Sequence, residues 1–291
     1  MMKENPRLAK RLKDSKPLPE KKDYTERYET LSSISDKCPY KKCDGSSLIW
    51  IMDHEEGRDF ARECDCKEFK KLRFKLSNAQ LPSEFADTTI NSFDVEIYEK
   101  AESQEQATLA KRYAGNFVKN FDLIREEGKG LYLYSRTKGS GKTRLAASIL
   151  NAIVKVYDKD GRRVSVYYSS TADLLGEIRR GFDKDADVKS SDVIDAVRNV
   201  DLLVLDDIGV EKTGDWVEET FTRILEHRLL NMKLTIFTSN LAIDELDSKY
   251  PEGRVRDRIK KMAFPVKMPE EQIRSMLAEK ENEDMLNLLL G

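Results

Sequence analysis

The stretch LYLYSRTKGSGKT, residues 131–143, constrains the architecture more than any other part of the chain. LYLY reads as a strand, and the residues from Lys142 to Tyr157 are apolar at helical spacing. A strand that hands over to a helix through a glycine-containing turn is half of a strand–helix–strand unit, whose strands pair in parallel through right-handed crossovers. Four more segments read as strands: RVSVYY (163–168), LLVLD (202–206), KLTIFT (233–238) and FPVKM (264–268). Helical patterns separate them, notably Thr171–Gly181 and Asp215–Leu230. Ala110, Tyr113, Ala114, Phe117, Val118, Phe121 and Ile124 recur at helical spacing before the first. The alternation predicts an α/β fold with a parallel sheet buried between helix layers.

The turn itself carries chemistry. Residues 136–143 match G-x-x-x-x-G-K-[ST] except at the opening position, where Arg136 stands for glycine. Backbone N–H groups at a helix N-terminus bind anions, helped by the helix dipole. Gly139, Ser140 and Gly141 let that backbone wrap close to phosphates, Lys142 is placed to reach the β- and γ-phosphates, and the Thr143 hydroxyl to bind Mg²⁺. If Arg136 takes up positive φ, the cost is on the order of 1 kcal/mol, enough to weaken the loop without abolishing it.

A phosphate loop needs an acidic partner for the metal. DLLVLDDIG (201–209) ends an apolar strand in two carboxylates. Asp206 is expected to hold Mg²⁺, usually through water, and Asp207 to polarise the attacking water. LTIFTSN ends the next strand in Thr238, Ser239 and Asn240, at the carboxyl edge where open α/β sheets bind ligands. Asn240 is a candidate to orient the lytic water. GRVRDRI sets Arg254 and Arg258 four apart on one face of a short helix. Either is solvated surface charge or an arginine given to a neighbour's γ-phosphate.

All four cysteines, Cys38, Cys43, Cys64 and Cys66, lie within 29 consecutive positions, spaced C-x₄-C and C-x-C around a 20-residue gap holding the strand-like SSLIWIM. Two close pairs around one such loop suit a tetrahedral zinc site; the alternative is four reduced thiols in a small core. His54 reads as part of a turn and His227 as structural. Hydrophobic residues make up 39% and charged residues 36% with a formal net charge of -2, so any basic surface is local. No apolar run reaches the roughly 20 residues of a membrane helix and the N-terminus lacks an apolar signal core, so a cytoplasmic protein with no membrane partner is expected. The organisation reads as a charged arm (1–37), a cysteine domain (38–76), a linker with turns (77–100) and an ATPase-like domain (101–291).

The order GSGKT, LLVLDDIGVEKTGDWVEE, LTIFTSN, RVRDRI resembles the helicase-loader ATPases of the DnaC/DnaI type, in the AAA+ superfamily near initiator DnaA and the transposase helper IstB. The resemblance covers roughly residues 77–268, and QLPSEFADTTINSF is similar to the family's lead-in. It implies an AAA+ P-loop NTPase fold with a five-stranded parallel sheet, the Asn240 strand lying between the phosphate-loop and Asp206 strands. Lys142, Thr143, Asp206, Asp207 and Asn240 carry over as nucleotide and hydrolysis residues with ATP and Mg²⁺. Arg258, with Arg254 beside it, carries over as the arginine acting in trans, which requires self-assembly. DnaI-like loaders also carry an N-terminal zinc domain that engages the helicase. Arg136 and the shorter Asp207 carboxylate depart from the common pattern, and the shorter reach of Asp207 favours slow, switch-like turnover. The acidic C-terminal helix (269–290) offers no evident second-sensor arginine.

The implied function is ATP-dependent delivery of a hexameric replicative helicase onto single-stranded DNA. The alternatives are a transposase-helper ATPase and a nucleotide-gated adaptor with little turnover. For DNA, the local candidates are GRR (161–163) and EIRRGFDK (177–184), above all Arg179 and Arg180, beside a strand ending in Tyr167 and Tyr168.

Overall fold

The computed structural model describes residues 27–35, 38, 41–64, 66–67, 81–183, 185, 188–212 and 214–290. The arm predicted for 1–37 and the first part of the predicted linker fall mostly outside these. The chain divides into two compact units, Met1–Lys71 and Leu72–Gly291.

In the first unit, β1 (Tyr28–Thr30), β2 (Leu48–Asp53) and β3 (Arg58–Glu63) form an antiparallel sheet in the order β1-β2-β3. The predicted strand around SSLIWIM is β2, and residues 54–57 make the turn into β3. Arg27 ties this corner by donating Nε and Nη2 to the two Asp53 carboxylate oxygens at 3.1 and 3.0 Å.

The second unit runs α1 (Ala101–Lys119), α2 (Phe121–Glu127), β4 (Gly130–Tyr134), α3 (Lys142–Lys159), β5 (Val166–Ser170), α4 (Thr171–Arg180), α5 (Ser190–Asn199), β6 (Leu202–Ile208), α6 (Asp215–Leu230), β7 (Leu234–Ser239), α7 (Arg254–Met262), β8 (Ala263–Lys267) and α8 (Ile273–Leu290). Its five strands are all parallel, in the order β5-β6-β7-β4-β8, so β7 lies between β6 and β4. Successive strand residues face opposite sides, so the apolar runs feed two cores. Leu131, Leu133, Leu202, Val204, Leu234 and Ile236 pack with α1 and α3, while Tyr132, Leu203, Leu205 and Phe237 pack with α4 to α7. The second strand begins three residues later than its periodicity suggests, and α5 has no counterpart in the predicted helices.

Residues 81–100, read from the sequence as part of a linker, are packed. Leu81, Phe93 and Tyr98 belong to the core beside α3. Asn151 of α3 donates to the carbonyls of Phe85 and Thr88 at 2.8 and 2.9 Å. The Pro, Ser and Asn make the short turns expected of them, and these lay the segment along the helix. Arg228 is fully buried on α6, and its guanidinium donates to Val197 O, Val200 O, Leu234 O and Thr235 Oγ1 at 2.5–3.0 Å. It thereby satisfies carbonyls that the end of α5 leaves open.

Candidate nucleotide site

A cleft of about 770 Å³ opens at the carboxyl edge of the sheet, lined among others by Gly139 to Thr143, Asp207, Asn240 and Arg274. The turn from β4 into α3 forms its floor. Gly139 (φ 72°) and Gly141 (φ 91°) occupy the left-handed region, which turns the loop's N–H groups along a concave path. A Cβ on Gly141 would lie 2.9 Å from the Tyr98 hydroxyl oxygen and 3.0 Å from Phe93, so the packed lead-in backs the loop from behind. Tyr98 donates to Ser140 O at 2.9 Å, and the Ser140 and Ser135 hydroxyls are 2.8 Å apart.

The Lys142 side chain is buried and donates Nζ to Thr137 O at 2.9 Å and Ser135 O at 3.2 Å. Burial pushes its pKa down, while Asp207, Glu270 and Asp206 push it up. Carbonyl partners of this kind hold an ammonium where phosphate oxygens can replace them.

Arg136 does not take up positive φ; the described non-glycine residues that do are Lys41, Ser47, Asp207 and Met232. The backbone cost allowed for at this position is therefore absent. The Glu270 carboxylate holds the turn instead, accepting from Arg136 N at 3.1 Å and from Thr137 N and Oγ1 at 3.0 Å. The Arg136 guanidinium points outward and pairs with Glu245.

Asp206 is buried at the end of β6 and accepts from Thr143 Oγ1 on both oxygens, at 3.0 and 3.1 Å. The β6–β7 register shifts between Leu205 and Ile208, and within that irregularity Asp207 stands at φ 57°. An aspartate tolerates this better than most residues, yet it needs outside support. Thr238 Oγ1 accepts from Asp207 N at 2.8 Å and Thr171 Oγ1 donates to Asp207 O at 3.0 Å. Burial, then the neighbouring Asp206, raise the Asp207 pKa. Asn240 lines the same cleft, and among the described residues its buried Oδ1 has no hydrogen-bond partner. The left-handed cradle, the Thr143–Asp206 pair and this open acceptor fit a nucleotide with Mg²⁺.

Sequence reasoning missed Arg274. It begins α8 and lines the cleft, and both Ile273 N and Arg274 N donate to Gly139 O, at 3.1 and 3.3 Å. Only the fold brings this helix onto a loop more than 130 positions earlier. Arg254 and Arg258 lie on α7, outside the residues lining this cleft. Arg258 pairs with Glu226 and donates to Arg254 O at 2.9 Å, and Arg254 pairs with Glu252 at 3.2 Å.

The aromatic residues beside the candidate DNA arginines are already engaged. Tyr168 is buried and donates to Asp206 Oδ2 at 2.8 Å, and Tyr167 reaches Glu177 at 3.1 Å. Arg162 stacks on Tyr157 and pairs with Asp122 and Asp160. Arg179 instead lies 4.7 Å above the Trp216 ring, with the exposed Phe182 edge-on to the same indole. Lys184 lies outside the described residues.

In the first unit, the sulfurs of Cys38, Cys43, Cys64 and Cys66 lie within 4.8 Å of one another, all buried. Cys38 and Cys64 sulfurs are 3.8 Å apart and those of Cys43 and Cys66 3.5 Å. Tetrahedral zinc–thiolate geometry requires separations of about 3.8 Å, so the four fit one ion. Burial pushes the Cys64 thiol up to about 12 without one. His54 stands apart in the exposed β2–β3 turn, 3.0 Å from Glu29, and half-buried His227 sits on α6. Among the described residues, no helix is long and apolar enough to cross a membrane.

The model of the IstB-like ATP binding protein family matches residues 46–274. The replicative helicase loader DnaI of Bacillus subtilis (strain 168) is 27% identical over 190 residues, 61% of this chain and 58% of its own length. The loader DnaC of Buchnera aphidicola subsp. Acyrthosiphon pisum (strain APS) is 25% identical over 238 residues, covering 81% and 89%. The crystal structure of the DnaC helicase loader superposes with a TM-score of 0.52 at 30% identity, over 64% of this chain and 99% of that one. The chain spans only 56% and 58% of the length of two Bacillus subtilis relatives, DnaI among them. With a match over well more than half its length and a phosphate loop, Asp207 and Asn240 lining one cleft, the chain belongs to the family of IstB-like ATP binding proteins.

Proposed function

We propose that the chain is an ATP-dependent loader that delivers a hexameric replicative helicase onto single-stranded DNA. The observation that carries this reading is the loader-like ATPase unit preceded, in the same chain, by a four-cysteine unit. Likeness to DnaI and DnaC supports the client. The cysteine unit is assigned zinc and contact with the helicase. Reduced, metal-held thiols suit a cytoplasmic protein.

In the cleft, the N–H groups of residues 139–143 and the Lys142 ammonium bind the phosphates, while Thr143 and Asp206 hold Mg²⁺. When bound, the ion would neutralise charge developing on the β- and γ-phosphates. Asn240 orients the lytic water and Asp207 accepts its proton. Arg258, with Arg254 beside it, reaches the γ-phosphate bound by the next subunit of an assembly on DNA. A short general base and an arginine that arrives only on assembly make turnover slow, which suits a switch. Arg179, stacked on Trp216, is assigned to the DNA path, where cationic and aromatic groups serve together.

The family description favours one second reading, a transposase helper with the same ATPase and a different client. Pull-down by the full chain with ATP, offered replicative helicase and transposase side by side, separates the two. Retention of helicase is expected, and retention of transposase alone would replace the client. Arg258→Ala is expected to bind nucleotide normally and lose hydrolysis; wild-type rates at assembling concentrations would remove Arg258 from the site.

A further inference from the structure

We infer that Tyr168 is a positioning residue for the magnesium-binding carboxylate Asp206, clamping it from the neighbouring strand β5 while Thr238 clamps it from β7. The inference rests on the reading of the cleft as a Mg²⁺–nucleotide site.

The strand order β5-β6-β7 puts Asp206 between two strands that each end near it. Ser170 of β5 is the register partner of Asp206, and Tyr168, two residues earlier, projects from the same face of its strand as Ser170. Its hydroxyl donates to Asp206 Oδ2 at 2.8 Å. On the other flank, Thr238 Oγ1 donates to Oδ1 at 2.5 Å. Thr143 supplies a third hydroxyl, shared between both oxygens.

These three donors differ in what they can do when the metal arrives. With Mg²⁺ bound, the Thr143 oxygen would offer the cation a lone pair while its single O–H stays on Asp206. Tyr168 and Thr238 supply one donor to each oxygen. A carboxylate oxygen has two acceptor directions, so three hydroxyl protons take three of the four and leave one for the cation or its water. The carboxylate is thus held in one orientation by donors on both oxygens. Tyr168 is 5% exposed with its ring in the core, so its hydroxyl has no easy exchange with solvent. Groups that orient a metal-ligating side chain typically change metal affinity or activity 10- to 100-fold when removed.

Tyr168→Phe tests this on the full chain, because it removes one oxygen and leaves the ring in place. A fluorescent ATP analogue is titrated in EDTA and at rising Mg²⁺, with thermal unfolding as the packing control. The expected result is unchanged affinity in EDTA, and a Mg²⁺ concentration for half-maximal enhancement raised roughly tenfold or more. Thr238→Val is expected to raise it too. A Mg²⁺ curve for Tyr168→Phe that overlays the wild type would overturn the inference and leave the site reading intact. Equal weakening with and without Mg²⁺ would also overturn it, since that reports packing alone. A wild-type chain whose nucleotide affinity ignores Mg²⁺ would overturn the site reading, and the inference with it.

Discussion

In the unit Leu72–Gly291 both faces of the sheet are covered by apolar side chains, whereas among the described residues of Met1–Lys71 the buried cluster consists of four cysteines and Ile49, with Ile51 packed against it. The strands differ in the same way. β6 and β7 are buried almost end to end, while β3 is exposed at every residue but Phe60. A sheet filled on both faces gains its stability from area removed from water, at about 25 cal/mol per Å². A three-stranded sheet with one exposed strand gains little that way. In the account proposed here the sulfur–metal bonds take the place of a core, and a structural zinc site contributes on the order of 10 kcal/mol to folding.

The largest effect should follow from attacking that difference directly. Cys64→Ser removes one of four ligands, and amide exchange across residues 48–63 should rise to unprotected rates while residues 130–134 and 202–208 keep their protection. Elemental analysis should give one zinc per wild-type chain. A metal-free wild-type chain with full protection at 48–63 would end the contrast.

A smaller loss is expected from the hydrophobic unit. Ile236 is fully buried on the central strand β7, and Ile236→Ala should cost about 2–5 kcal/mol in denaturant unfolding of that unit. Zinc content should be unchanged. Loss of zinc in this variant would show that the two units do not fold on separate terms.

Arg136→Gly should have the smallest effect. Its φ is not left-handed and its ion pair with Glu245 is largely exposed, so affinity for ATP should change less than threefold. A tenfold gain would show that the arginine strains the loop after all.

Much of the second unit was legible because its strands are short apolar runs with polar ends, and those ends are where the site forms. Gly139 to Thr143, Asp206, Asp207 and Asn240 all sit at strand ends or at the start of the following helix, so local pattern was enough to single them out as candidates. Arg274 was not legible, because a tertiary contact between α8 and Gly139 O brings it to the cleft. The same holds for Glu270, whose carboxylate does at the first loop position what glycine was expected to do. For Tyr168 and Tyr167 local pattern stopped short in another way. Strand periodicity cannot tell a tyrosine hydroxyl that meets solvent from one that meets the neighbouring strand's aspartate. In the first unit, cysteine spacing pointed to the cluster, and the fold brings the four sulfurs together.

The most direct measurement is equilibrium binding of a fluorescent ATP analogue to the full chain in Mg²⁺, for wild type and Lys142→Ala in parallel. Saturable binding by the wild type, abolished in Lys142→Ala while the variant's thermal unfolding stays close to wild type, is the expected result. Equal affinity in the two proteins would contradict the assignment of the cleft as a nucleotide site.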